Sequence, residues 1–124
     1  MKLVAITNCP TGVAHTYMAA EALLMAAKSL DQEIKVETQG NIGIENTITV
    51  EDLASADAVI IASDKDIDKT RFKDIPLIEV SINEAIMNSK GLILKTLDLI
   101  SEVKKSRDKK SESIFEKIRN MFNK

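Results

Sequence analysis

The chain's one cysteine, Cys9, and its one histidine, His15, share the stretch "NCPTGVAHT", residues 8–16, with one of two prolines and one of four glycines. A thiol just ahead of a helix is a reactive group. The unsatisfied N–H groups and positive dipole end of a helix favour the thiolate, the nucleophilic form of cysteine, and they favour a bound anion as well. Pro10 and Gly12 suit a tight turn, which aims the N–H groups of Thr11, Gly12, Val13, Ala14, His15 and Thr16 at one point as an anion-binding nest. Thr11 and Thr16 add hydroxyls that suit phosphate oxygens, and His15 reads as a donor, a general acid or a prop for the loop. Each feature has an ordinary alternative: a cysteine serving as a small buried hydrophobe, a structural histidine, threonines that cap a helix. Their combination within nine residues points to one chemistry, in which Cys9 attacks a phosphoryl group and holds it as a thiophosphate ester.

Competing motifs fall away on inspection. The loop has neither GxxxxGK[ST] nor GxGxxG, so the common nucleotide-binding loops are excluded. A cysteine phosphatase needs an arginine in the loop to clamp the transition state, and none occurs before Arg71. A loop that captures a phosphoryl group without speeding its hydrolysis suits a carrier. A redox enzyme would want a resolving cysteine. "DKDIDK" (64–69) imitates the start of a calcium loop, but Lys69 replaces the required glycine and Ile75 the closing glutamate. One cysteine and one histidine exclude a zinc site, and neither metal nor cofactor is expected.

The loop must be held by its flanking elements. "KLVAI" (2–6) is an apolar run of buried-strand length. After the loop, Ala19, Ala22, Leu23, Ala26, Ala27 and Leu30 recur at helical spacing. "EIKVET" (33–38) alternates and breaks at Gly40 and Gly43, giving a second strand and a loop. Thr49, with Asp52 three positions on, predicts a capped short helix. "DAVIIA" (57–62) and "IPLIEV" (75–80) are the third and fourth strands, the last starting at Pro76 or lying at an edge, with helices from about Asn83 and over Leu92–Val103. The expectation is an α/β fold: an open four-stranded parallel sheet flanked by helices on both faces, Rossmann-like, with its phosphate loop after the first strand.

At 124 residues, with 44% apolar and 29% charged residues, the chain fits one globular domain. A single cysteine suits a reducing, cytosolic setting, and neither a signal peptide nor a membrane-length apolar run is present. Net charge is unevenly placed: residues 1–100 carry −6 and residues 101–124 carry +4. "KKSRDKKSES" (104–113) has no apolar residue and reads as a solvated helix end or linker. Beyond it Ile114, Phe115, Ile118, Met121 and Phe122 form a helical stripe, either docked on the domain or touching a partner or membrane interface. Residues 1–103 are thus expected to form the domain, and 104–124 a basic polar linker with an amphipathic helix.

"AITNCPTGVAHTYMAAEAL", "IKVETQGNIGIEN" (34–46) and "ADAVIIASDKDIDKTRF" (56–72) resemble the fructose-family enzyme IIB component of the bacterial phosphoenolpyruvate-dependent sugar phosphotransferase system (PTS), over about residues 1–100. The resemblance implies a phosphocysteine at Cys9, cradled by Pro10 to Thr16. The phosphoryl group would come from a phosphohistidine of a IIA protein and pass to a sugar bound in the membrane component IIC, with no nucleic acid as partner and a place at the inner face of the cell membrane. Asn8 departs from the pattern, which more often has a small residue there. Gln39, Gly40 and Asp64, at the ends of the second and third strands, are expected beside the loop. Two rival readings stay open: a low-molecular-weight cysteine phosphatase, and a phosphate sensor whose Cys9 is never modified. So does the question of a free-standing subunit against the first domain of a longer polypeptide.

Overall fold

The computed structural model describes residues 1–9, 13–40 and 43–122. Strand β1 (Lys2–Asn8) lies at the centre of the sheet. Helix α1 (Val13–Ser29) leads to β2 (Glu33–Gly40) and β3 (Gly43–Glu45), then to α2 (Val50–Ser55) and β4 (Ala58–Ser63). A 3-10 turn (Thr70–Phe72) precedes β5 (Leu77–Val80), α3 (Ile82–Met87) and α4 (Ser89–Phe122). The sheet order is β3-β2-β1-β4-β5.

β2, β1, β4 and β5 are the four parallel strands expected, and β3 is an addition to them. It folds back antiparallel on the end of β2, pairing Thr38 with Glu45, Gln39 with Ile44 and Gly40 with Gly43. Gly43 has φ of 114°, a conformation open to glycine and strained for other residues. All three β3 residues are exposed, so this edge strand leaves no apolar period in the sequence.

Two apolar layers cover the sheet. On the front, Leu3, Ala5 and Ile60 meet Ala19, Leu23 and Ala27 of α1, with Ile93 and Ile100 of α4 beside them. On the back, Val4, Ile6, Val59 and Ile61 pack with Ile48 and Phe72. Alternate residues of β1 thus face opposite layers, which is why its whole length reads as apolar. The Thr49 box forms as expected. Thr49 Oγ1 accepts the Asp52 N–H at 3.1 Å, and Asp52 Oδ2 accepts the Thr49 N–H at 2.9 Å. Such a cap stabilises a helix by about 1 kcal/mol.

The backbone of α4 runs without a break from Ser89 through the charged stretch 104–113 to Phe122. Near the amino edge of the sheet, Val103 and Lys104 line a small cavity with Asp57 and Pro76.

Candidate functional site

Parallel sheets of this kind bind ligands beyond the carboxyl ends of their strands, where the chain reverses its direction of winding. Here that point lies between β1 and β4: the chain first places β2 on one side of β1, then crosses to place β4 and β5 on the other. Cys9 follows β1 directly and Asp64 follows β4 directly. Both line one cavity of about 270 Å³ with His15, Ile82, Asn83 and Ile86. The topology therefore brings Asp64, distant in sequence, to the stretch that holds Cys9 and His15.

Cys9 is 5% exposed and packs with the front layer. Its backbone N–H donates to Thr16 Oγ1 at 3.0 Å, and Thr16 is wholly buried. The first turn of α1 thus reaches back to hold the residue that carries the thiol. The bond is possible because α1 starts at Val13, which leaves Thr16 four residues into the helix. Ala14 and His15 are exposed, with His15 at the rim of the cavity. Pro10, Thr11 and Gly12 lie outside the described residues, and Val13 is described by its backbone. Asp64 is exposed, and its Oδ1 accepts the Ile82 N–H at 3.4 Å, tying the end of β4 to the start of α3.

Gln39 and Gly40 occupy the adjacent strand end. Gly40 lies under Tyr17, so that a Cβ built on it would sit 3.6 Å from the Tyr17 hydroxyl. Gln39 is level with Asn8 in the β1–β2 register. Its amide is committed at both ends: Oε1 accepts from Asn8 Nδ2 at 3.1 Å, and Nε2 donates to Glu37 Oε2 at 2.8 Å.

Glu37 is the residue that sequence reasoning missed. It is fully buried, yet every acceptor direction of its carboxylate is filled. Oε1 accepts from Ile48 N–H at 2.9 Å and Arg71 Nη1 at 3.0 Å, while Oε2 accepts from Arg71 Nη2 at 2.5 Å and from Gln39. Burial pushes the carboxyl up, but the Arg71, Ile48 and Gln39 hydrogen bonds outweigh it and hold it below its ordinary range. Arg71 also stacks on Phe72, its guanidinium carbon 4.9 Å from the ring centre. The first arginine in the chain is therefore engaged on the back of the sheet, away from the thiol. Arg107 and Arg119 belong to the far half of α4.

A second cavity, about 320 Å³, lies along the 64–69 loop and includes Ser63, Asp64, Asp66, Lys69 and Glu79. Lys69 pairs with Glu79 there. Its carboxylates disfavour an anion. Among the described residues, no group of histidine, cysteine and carboxylate side chains could hold a metal ion. Nor is any helix there long and apolar enough to cross a membrane.

These features define a class, a doubly wound parallel α/β domain that presents a cysteine at its ligand-binding edge. Comparison with known proteins narrows it. The sequence model of the PTS IIB family, described as "PTS system, Lactose/Cellobiose specific IIB subunit", matches residues 4–95. The chain is 50% identical over 95 residues to the PTS system fructose-like EIIB component 2 of Escherichia coli K12, covering 76% of this chain and 90% of that protein. It is 43% identical over 97 residues to the fructose-specific EIIABC component of Bacillus subtilis, covering 78% of this chain and 15% of that longer protein. A crystal structure of a domain of the fructose-specific IIABC component of Borrelia burgdorferi superposes with a TM-score of 0.76 at 47% identity, covering 78% of this chain and 93% of that domain. The chain belongs to the PTS IIB family, and within it to the fructose-like type. Names such as EIIABC show that relatives carry this domain in one polypeptide with other PTS components.

Proposed function

We propose that this chain is the phosphoryl carrier of a fructose-type sugar PTS, with Cys9 as the covalent acceptor. A phosphohistidine on a IIA protein or domain docks over the Cys9 edge. The thiolate attacks phosphorus in line, an S–P bond forms, the N–P bond breaks, and the imidazole leaves with the electron pair. The N–H groups of Thr11 to Thr16 offset the charge on the equatorial oxygens. In the second step a hydroxyl of the sugar bound in IIC attacks phosphorus, the S–P bond breaks, thiolate is regenerated, and the hydroxyl proton passes to a base on the sugar's side. Fructose or a related sugar is the acceptor by likeness to the relatives' names. No nucleic acid takes part. The protein works in the cytoplasm, at the inner face of the membrane through IIC. Residues 1–103 form the carrier domain, and 104–124 a basic, polar extension ending in the amphipathic stripe.

The observation that carries this reading is the placing of Cys9. The only thiol in the chain lies at the switch point, beside the start of α1, with its N–H held by Thr16 and Arg71 engaged elsewhere. Intact mass tests it. Incubation with phosphoenolpyruvate, the general PTS proteins and a fructose-type IIA should add one phosphoryl group, stable to alkali, lost on iodine treatment and absent from Cys9→Ser. Steady hydrolysis of an aryl phosphate, with no such adduct, would instead support a phosphatase. Full function of Cys9→Ser would support a non-covalent sensor.

A further inference from the structure

A line of hydrogen bonds on the back of the sheet ends at the residue that precedes the thiol. Arg71 grips Glu37 with both nitrogens, Gln39 donates to Glu37, and Asn8 donates to Gln39. The direction of the line is forced by chemistry. A carboxylate held by an arginine only accepts, so Gln39 must turn its NH₂ toward Glu37. Its carbonyl oxygen then faces β1, and Asn8 can answer only with its own NH₂. A reversed amide at either position would set like groups against each other.

Gln39 and Glu37 are two residues apart on one strand and so share a face, while Asn8 lies level with Gln39 on the neighbouring strand. Cys9 belongs to the front layer. Fixing the Asn8 side chain from behind therefore fixes the peptide that leads into Cys9, and the N–H of that same peptide is held from the front by Thr16.

We propose that Gln39 is a positioning residue and not a phosphate ligand: with Asn8 it forms the rear half of a clamp, Thr16 being the front half, that sets the Cys9 backbone. The inference rests on the reading of Cys9 as phosphoryl acceptor. It explains why an amide at the carboxyl edge of the sheet, where a ligand contact is expected, spends both its ends within the protein. Misplacing a nucleophile by a fraction of an ångström slows transfer without changing how the donor docks.

The test compares full-length wild type with Asn8→Ala, Gln39→Ala, the double variant and Gln39→Glu. Two readouts are taken. One is single-turnover phosphorylation against concentration of phosphorylated IIA. The other is the rate of Cys9 alkylation by iodoacetamide with no donor present. Asn8→Ala and Gln39→Ala should lower the maximal transfer rate by the same factor, roughly three- to tenfold, with the half-saturating donor concentration unchanged. The double variant should be no slower than either single one, as expected for two parts of one unit. Alkylation should change by an equal factor in both. Gln39→Glu, which sets a second carboxylate against Glu37, should be slower than Gln39→Ala.

The proposal is overturned if Gln39→Ala slows transfer and Asn8→Ala does not, for Gln39 then meets the phosphoryl group itself. It is overturned equally if only the half-saturating concentration rises, or if every variant matches wild type in both readouts. Should wild type take no phosphoryl group from a competent donor, the carrier reading fails by itself. Alkylation then decides the clamp alone: equal changes in Asn8→Ala and Gln39→Ala keep it, unequal or absent ones remove it.

Discussion

The front of β1 buries Cys9 among alanines and aliphatic side chains, whereas the back of neighbouring β2 buries a carboxylate under four N–H donors. Both lie near the carboxyl edge of one sheet, and the pleat assigns them to opposite faces. The front around Cys9 is apolar and rich in small residues, with a cavity of about 270 Å³ beside Cys9. At Glu37 the otherwise apolar back is polar, and the carboxylate is saturated with hydrogen bonds, as suits a support. A strand alternation thus puts the thiol and the ion pair on opposite faces of one sheet, with the arginine engaged on the far side. That separation matters chemically, because a guanidinium over a phosphorylated cysteine is the feature that would turn a carrier into a phosphatase.

Two substitutions should break the comparison in opposite ways. Cys9→Ser should abolish phosphoryl uptake, the largest functional effect expected, while leaving stability to urea within about 1 kcal/mol, because the side chains are close in size. Arg71→Ala should do the reverse. It leaves the Glu37 carboxylate buried without its partner, which costs roughly 2–3 kcal/mol. That is below the range for a wholly buried pair, since the Arg71 side chain is 33% exposed. Replacing both Glu37 and Arg71 by leucine should recover much of the loss, because no charge is then left unpaired. An Arg71→Ala protein as stable as wild type would show that the back face is not the support described.

Acid sharpens the same contrast. Glu37 is held below its ordinary value of 4.5 in the folded state, so the unfolded chain binds that proton more readily. The stability it contributes is fully present above that ordinary value and is lost as pH falls through the lower folded-state value. Wild type should therefore exceed Glu37→Gln in urea midpoint near neutrality, and the gap should close as pH falls below 4.5. Asp52, which the Lys35 hydrogen bond and the Thr49 cap hold far below the usual carboxylate range, is unchanged in both proteins and cancels in the difference. A gap that stays constant with pH would detach Glu37 from the acid response.

Elements that obey a local rule were far more legible than the ion pair on the back of the sheet. The apolar runs of β1 and β4, the alanine spacing of α1 and the Thr49–Asp52 pair each obey a local rule, and each forms as its pattern predicts. Cys9 drew attention because it is unique and followed by turn residues. Glu37 gave no such signal. In "EIKVET" it alternates with apolar residues as an exposed side chain would, and Glu33 is indeed exposed and Lys35 half-buried. On this back face burial sets in at Glu37, where Ile48 and the 3-10 turn with Arg71 close over the end of the strand. The partner is 34 residues away, beyond any local spacing. β3 was hidden for a related reason, since a three-residue exposed edge strand has no periodicity to read.

Thr16→Val and Thr16→Ser probe the front half of the clamp. Valine keeps the shape but removes the oxygen that accepts the Cys9 N–H, leaving a donor unpaired at a cost of about 1–2 kcal/mol. Transfer should slow in valine and be largely restored in serine, which retains the acceptor. Equal transfer by all three proteins would show that the brace does not set the nucleophile.

The smallest expected effect lies directly beneath. Thr7 and Thr38 face one another in the β1–β2 register, both buried, and neither hydroxyl has a hydrogen-bond partner. They share the front face with Cys9, so they test whether closeness to the thiol alone makes a polar group matter. Replacing Thr38 by valine removes a buried oxygen that makes no bond and adds a methyl group of similar size. The change in unfolding free energy should lie within about 0.5 kcal/mol of zero or favour the variant, with transfer unchanged. A loss as large as that of Thr16→Val would mean that this hydroxyl, too, holds something in place under the loop. The contrast would then lie between the floor of the site and its surroundings, and no longer between two faces of the sheet.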